Sequence, residues 1–146
     1  MVFKKIFTNI FLIVFLFCPV IAHGQGLGMT KVYIFKDVEI PFNMKYGNSI
    51  MEKGKYEFEI MFNRGHQVFY LKIIKKRKGI CLVPGDRKQY KSYGRERLKD
   101  PNIPDKPRLS IRKFPESKML MVTFEAGKKA RMFKLVYVIF KMEYEE

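Results

Sequence analysis

Lys53 to Phe62 reads Lys-Gly-Lys-Tyr-Glu-Phe-Glu-Ile-Met-Phe, and this run constrains the fold more than any other part of the 146-residue chain. Tyr56, Phe58, Ile60 and Phe62 fall on one side of a two-residue period, and Lys55, Glu57 and Glu59 on the other. That alternation describes a strand with one buried and one wet face, which favours antiparallel pairing. Gly54 suits a tight entry into the strand, because glycine tolerates backbone angles that other residues resist.

The same period recurs along the chain. Lys31 to Ile40 puts Val32, Ile34, Val38 and Ile40 on one side and Asp37 and Glu39 on the other, interrupted by Lys36. Pro41 then stops ladder pairing, Phe42 and Met44 carry a brief extension, and Tyr46 to Ser49 is a turn cluster. Gln67 to Lys75, apolar on both faces, forms a hairpin with the preceding strand through Asn63-Arg64-Gly65-His66. Strand character returns at Ile80–Val83, Leu109–Phe114, Met119–Glu125 and Arg131–Lys141, with turn residues between. The acidic tail, Glu143 to Glu146, is expected to fray. No segment sustains a helical period. The reading is an all-β fold, a single antiparallel barrel or two-sheet sandwich of about seven to nine strands.

Residues 1–24 have a different character. Lys4 and Lys5 precede the apolar run Ile10–Ala22, and Ala22-His23-Gly24 offers small residues where a signal peptidase reads. This is the pattern of a cleaved secretory signal, and the run is short of the roughly 20 residues of a comfortable membrane span. An uncleaved anchor is the alternative; a lipoprotein is disfavoured by bulky Phe17 before Cys18. Export to the periplasm or the extracellular space is the expectation, with 25–146 as a single β-domain and no transmembrane span in the mature chain. A domain of that size buries about two-thirds of its unfolded surface. Losing Cys18 leaves Cys81 alone, so no internal disulfide can form, and its apolar neighbours Ile80 and Leu82 suggest a buried, inert thiol. Oligomeric state is not legible.

Pro41-Phe42, followed by Ile50-Met51-Glu52-Lys53-Gly54-Lys55-Tyr56-Glu57, resembles a "PF…(lpa)GkYE" signature of small exported bacterial all-β proteins of unknown function. It departs from the signature at Glu52-Lys53, where proline and alanine are commoner. The resemblance implies export and β-structure, and brings no catalytic residues with it.

Several chemistries are excluded by residue counts. With His23 in the signal segment, His66 is the one remaining histidine, and one histidine with one cysteine cannot build a Cys/His zinc site. A nucleophilic triad would have to use His66, which falls in a hairpin loop, and no Gly-x-Ser-x-Gly elbow occurs. There is no nucleotide-binding glycine loop, and no cofactor is expected. Glu57 and Glu59 share a strand face about 7 Å apart, a spacing compatible with glycosidase chemistry, although a solvated face explains the pair more simply.

Charge is the positive signal. Losing Lys4 and Lys5 takes the net charge from +15 to +13. Much of it lies between Lys72 and Lys99. The candidate anion-binding set is Lys75, Lys76, Arg77, Lys78, Arg87, Lys88, Lys91, Arg95, Arg97 and Lys99, with Tyr90 and Tyr93 interleaved. Pro84 to Pro107 reads as a long basic loop without period, though Gln89–Tyr93 has some edge-strand character; loops of this length are commonly functional or mobile. Basic loops with aromatics can grip phosphates and stack on planar groups. Export makes nucleic acid an unexpected partner, and anionic envelope surfaces or polysaccharide a better one. The expected function is therefore a non-enzymatic exported β-domain with a binding or structural role in the envelope. A barrel carrying an apolar ligand is the alternative, and a carboxylate-based hydrolase a more distant one.

Overall fold

The computed structural model describes residues 28–90, 94–128 and 136–146. The expected signal segment lies outside the described residues. So do Lys91, Tyr93 and the first five residues of the Arg131–Lys141 strand.

Nine strands stand among the described residues: β1 (Met29–Ile40), β2 (Asn43–Tyr46), β3 (Ser49–Met51), β4 (Gly54–Asn63), β5 (Val68–Lys75), β6 (Lys78–Gln89), β7 (Arg108–Phe114), β8 (Met119–Glu125) and β9 (Val136–Glu145). All pairings are antiparallel. They form one sheet in the order β1-β4-β5-β6-β9-β2-β3, with β8 also on β9 and β7 on β8. The sheet curls on itself as a half-barrel, which realises the all-β class. No helix among the described residues is long and apolar enough to cross a membrane.

Strand β6 makes the curl. Its first half, through Pro84, pairs with β5; its second half, Gly85–Gln89, pairs with β9. Proline, which has no N–H to give to a ladder, stands at the handover, as expected where pairing is interrupted. Gly85 follows because the space beside it is taken. A Cβ there would stand 2.4 Å from Val138 Cγ1 and 2.5 Å from Phe140 Cε1, both on β9. The chain can pass from β5 to β9 here only without a side chain.

Among the described residues the inner face is filled. Phe58, Ile60, Leu71, Ile73, Val83, Leu120, Val122, Val138 and Phe140 have 0% exposure, so none borders a void that admits water. Each such burial contributes about 1.5–3 kcal/mol. The alternations in β4 and β8 point inward as their sequences indicate, and Gly54 enters β4 at φ 152°, outside the range that side chains favour.

Four expectations change. In β1, register shifts between Lys31 and Tyr33 and between Phe35 and Val38 break the period, so Phe35, not Ile34, packs on the core with Val32 and Val38. The presumed loop from Pro84 begins as strand and remains strand to Gln89. Beyond it, Gly94–Leu98 forms a 3-10 turn, Ile103 is buried, and the Lys128 N–H donates to the Pro104 carbonyl at 2.8 Å. The 94–107 connection is therefore pinned at its middle. Finally, the acidic tail continues β9. Tyr144 is 4% exposed, its N–H donates to the Lys118 carbonyl, and Glu146 pairs with Lys113 at 2.9 Å.

Candidate anion-binding site

The β5–β6 hairpin closes on two residues. Lys75 pairs with Lys78, and Lys76 and Arg77 between them have φ of 50° and 65°. Two successive left-handed residues make the primed turn whose twist matches paired strands, usually built from Asn-Gly. Side chains cost about 1–2 kcal/mol per residue in that conformation. The turn therefore carries two cations where the backbone disfavours any side chain.

Across β4, the second irregularity of β1 carries Lys36 and Asp37, the latter at φ 53°. Between this bulge and the turn lies a cleft of about 210 Å³, lined by Lys36, Lys55, Lys75, Lys76 and Arg77 with Asp37, Glu57, Tyr56 and Ile74. Five cations face two carboxylates. Lys75 Nζ stands 5.0 Å from the centroid of the Tyr56 ring, a cation–π distance, and the buried Tyr56 hydroxyl donates to the Glu52 carbonyl. Ion pairs among the described residues use Lys31, Lys88, Arg108, Lys113 and Lys128, and none uses a cation of the cleft. The volume is below the usual range for drug-sized ligands and suits a single small anionic group.

The structure does not unite the basic residues read from the sequence. Lys78 and Arg87 are separated by about 30 Å of extended strand, several Debye lengths at physiological salt. Lys75, Lys76, Arg77 and Lys78 stand at the turn; Arg87 and Lys88 lie on the second half of β6; Arg95, Arg97 and Lys99 lie on or just after the 3-10 turn. Lys88 is paired with Asp86 at 3.2 Å. Tyr90 is not a free stacking platform. Its hydroxyl donates to Glu125 Oε1 at 2.6 Å and its ring lies 5.1 Å from that of Tyr137. Arg108 donates to the other oxygen of the same buried carboxylate at 2.7 Å. Partial burial and the adjacent Glu125 push the Tyr90 phenol well above its ordinary value.

Lys36 and Lys55 were absent from the sequence-derived set. Lys36 left a trace as the residue that interrupts the β1 alternation, but nothing in the sequence says that this bulge faces the β5–β6 turn. Glu57 and Glu59 keep one face of β4, but that face is not uniformly solvated: Glu59 is 5% exposed, stands opposite Lys72 and pairs with Lys31 at 3.4 Å. His66 is exposed in the β4–β5 turn, as expected. Cys81 is half-buried, and burial pushes its thiol up. No group of three or more His, Cys, Asp or Glu side chains among the described residues could hold a metal ion.

In comparisons with protein-family models, curated proteins and solved structures, the chain matches none of them.

Proposed function

We propose that this chain is an exported, non-enzymatic β-domain of the cell envelope that holds anionic groups at the β5–β6 turn. The observation that carries the reading is the cleft itself. Five cations gather against two carboxylates, and two of the five stand in left-handed backbone at a cost to folding. Arg95, Arg97 and Lys99 add a general positive field, not part of the site. Phosphate and carboxylate groups are the matching chemistry, held by charge-assisted hydrogen bonds.

The interior favours this reading over an apolar carrier, since the side chains that would line a cavity fill it. A carboxylate-based hydrolase fares no better: Glu59 is engaged by Lys31, and Glu57 sits among lysines.

The test is retention on phosphatidylglycerol vesicles and on an immobilised acidic polysaccharide, at low and high salt. The reading expects retention on at least one of them, weakened by salt and by Lys76→Glu with Arg77→Glu. Equal retention at both salt concentrations, or none on either surface, overturns it.

A further inference from the structure

Beside the cationic turn, β6 exposes two apolar side chains. Ile80 is 39% and Leu82 44% exposed, while Val83 next to them is fully buried. Single exposed apolar residues are ordinary. These two are alternate residues of one strand, and they begin two positions after the last turn cation, Lys78. The placement of Ile80 has a local cause. Ile73 pairs with Cys81 but Ile74 with Gly79, so Ile80 is the extra residue of a bulge, a device that re-aims a side chain.

Lys72 completes the patch. It stands opposite Leu82, and its stem crosses Gly79 so closely that a Cβ there would lie 2.9 Å from Lys72 Cε. The missing side chain at residue 79 makes room for an aliphatic stem beside Ile80, with the ammonium at its far end. Apolar tips bordered by a lysine stem, with cations at the adjoining turn, are complementary to one kind of surface: negative phosphates outside, hydrocarbon beneath. A polysaccharide would engage the cations and leave Ile80 and Leu82 in water.

We infer that this end of the half-barrel docks on an anionic lipid bilayer, Lys76, Arg77 and Lys78 taking headgroup phosphates while Ile80 and Leu82 enter the interface between them. The inference rests on the anion-binding reading and specifies its partner. Lys78 to Leu82 spans about 13 Å of strand, more than the roughly 5–10 Å that interfacial segments bury. This stretch of β6 therefore lies along the membrane surface, with the turn cations at the phosphates and Ile80 and Leu82 reaching the acyl boundary beside them.

The chain has no tryptophan, so Leu82→Trp installs a unique reporter at a position already exposed. Vesicles of phosphatidylglycerol in phosphatidylethanolamine are added, with neutral phosphatidylcholine vesicles and a soluble acidic polysaccharide as the other arms. Expected are a blue shift of the tryptophan emission and its quenching by lipids brominated on the acyl chain, with the anionic vesicles alone. Ile80→Ser with Leu82→Ser should weaken vesicle binding about tenfold and leave polysaccharide binding unchanged. Removing one turn cation should weaken vesicle binding about fivefold. Circular dichroism of each variant establishes that it has folded. Salt-sensitive binding without blue shift or quenching, or unaffected by the double serine variant, overturns the bilayer inference and leaves the anion-binding reading standing. Absence of binding to vesicles and polysaccharide alike overturns both.

Discussion

Replacing Gly85 by alanine tests whether β6 turns the sheet at that residue. The added methyl would meet Val138 Cγ1 at 2.4 Å and Phe140 Cε1 and Cδ1 at 2.5 and 2.9 Å. Ordinary carbon contacts lie near 3.5–4.0 Å, so the overlap exceeds about 1 Å on two neighbours at once. Neither neighbour can retreat, since both are fully buried. Overpacking of this kind costs about 1–3 kcal/mol, and the double overlap places Gly85→Ala near the top of that range. For a domain of this size, about 3 kcal/mol lowers Tm by roughly 10–15 °C. Gly79→Ala is the matched control. Its methyl would meet the end of the Lys72 side chain at 2.9 Å, which can swing into solvent, so the change should stay within about 0.5 kcal/mol. Urea and thermal unfolding of both variants by circular dichroism give the comparison. Equal midpoints for the two variants, or a Gly85→Ala protein as stable as the parent, would refute the packing argument for the handover at residue 85.

Two further outcomes follow from local geometry. Lys76→Asn with Arg77→Gly relieves two left-handed side chains, so it should raise stability by about 1–2 kcal/mol in urea unfolding while weakening retention on anionic vesicles; loss of stability would show that the turn residues are not strained. Tyr90→Phe removes a donor from buried Glu125, costing about 1–2 kcal/mol. It should also alter the alkaline limb of stability. An unfolded tyrosine loses its proton near pH 10, whereas folded Tyr90 keeps it to higher pH, so this contribution is whole below about pH 10 and declines as pH rises above it. The phenylalanine variant lacks that component, and identical pH profiles for the two proteins would contradict it.

How much was legible depends on what holds each strand. β4 and β8 carry their own instructions, because Tyr56, Phe58, Ile60 and Phe62, and Leu120, Val122 and Phe124, all face the core at period two. The second half of β6 carries none. Asp86, Arg87, Lys88 and Gln89 are all exposed, and β9 holds them by backbone pairing alone, so the segment reads as a polar loop. In β1 the two irregularities displace the period, which is why Ile34 looked like a core residue and Phe35 did not. The tail looked free because its charges are visible in the sequence, whereas the contacts that fix Tyr144 and Glu146 come from Lys118 and Lys113. For the candidate site the sequence located the cations of the turn and overestimated their union with Arg87–Lys99. The partners that make a cleft, Lys36 and Lys55, come from strands that only tertiary pairing brings alongside.

The most direct test of the central claim is to titrate the isotope-labelled protein with glycerol 3-phosphate, following backbone amide shifts by nuclear magnetic resonance. The account predicts that the largest shifts fall at Lys36, Asp37, Lys55, Lys76 and Arg77, with Arg95, Arg97 and Lys99 nearly unmoved. Largest shifts at Arg87–Lys99, or no localised shift at all, would contradict it.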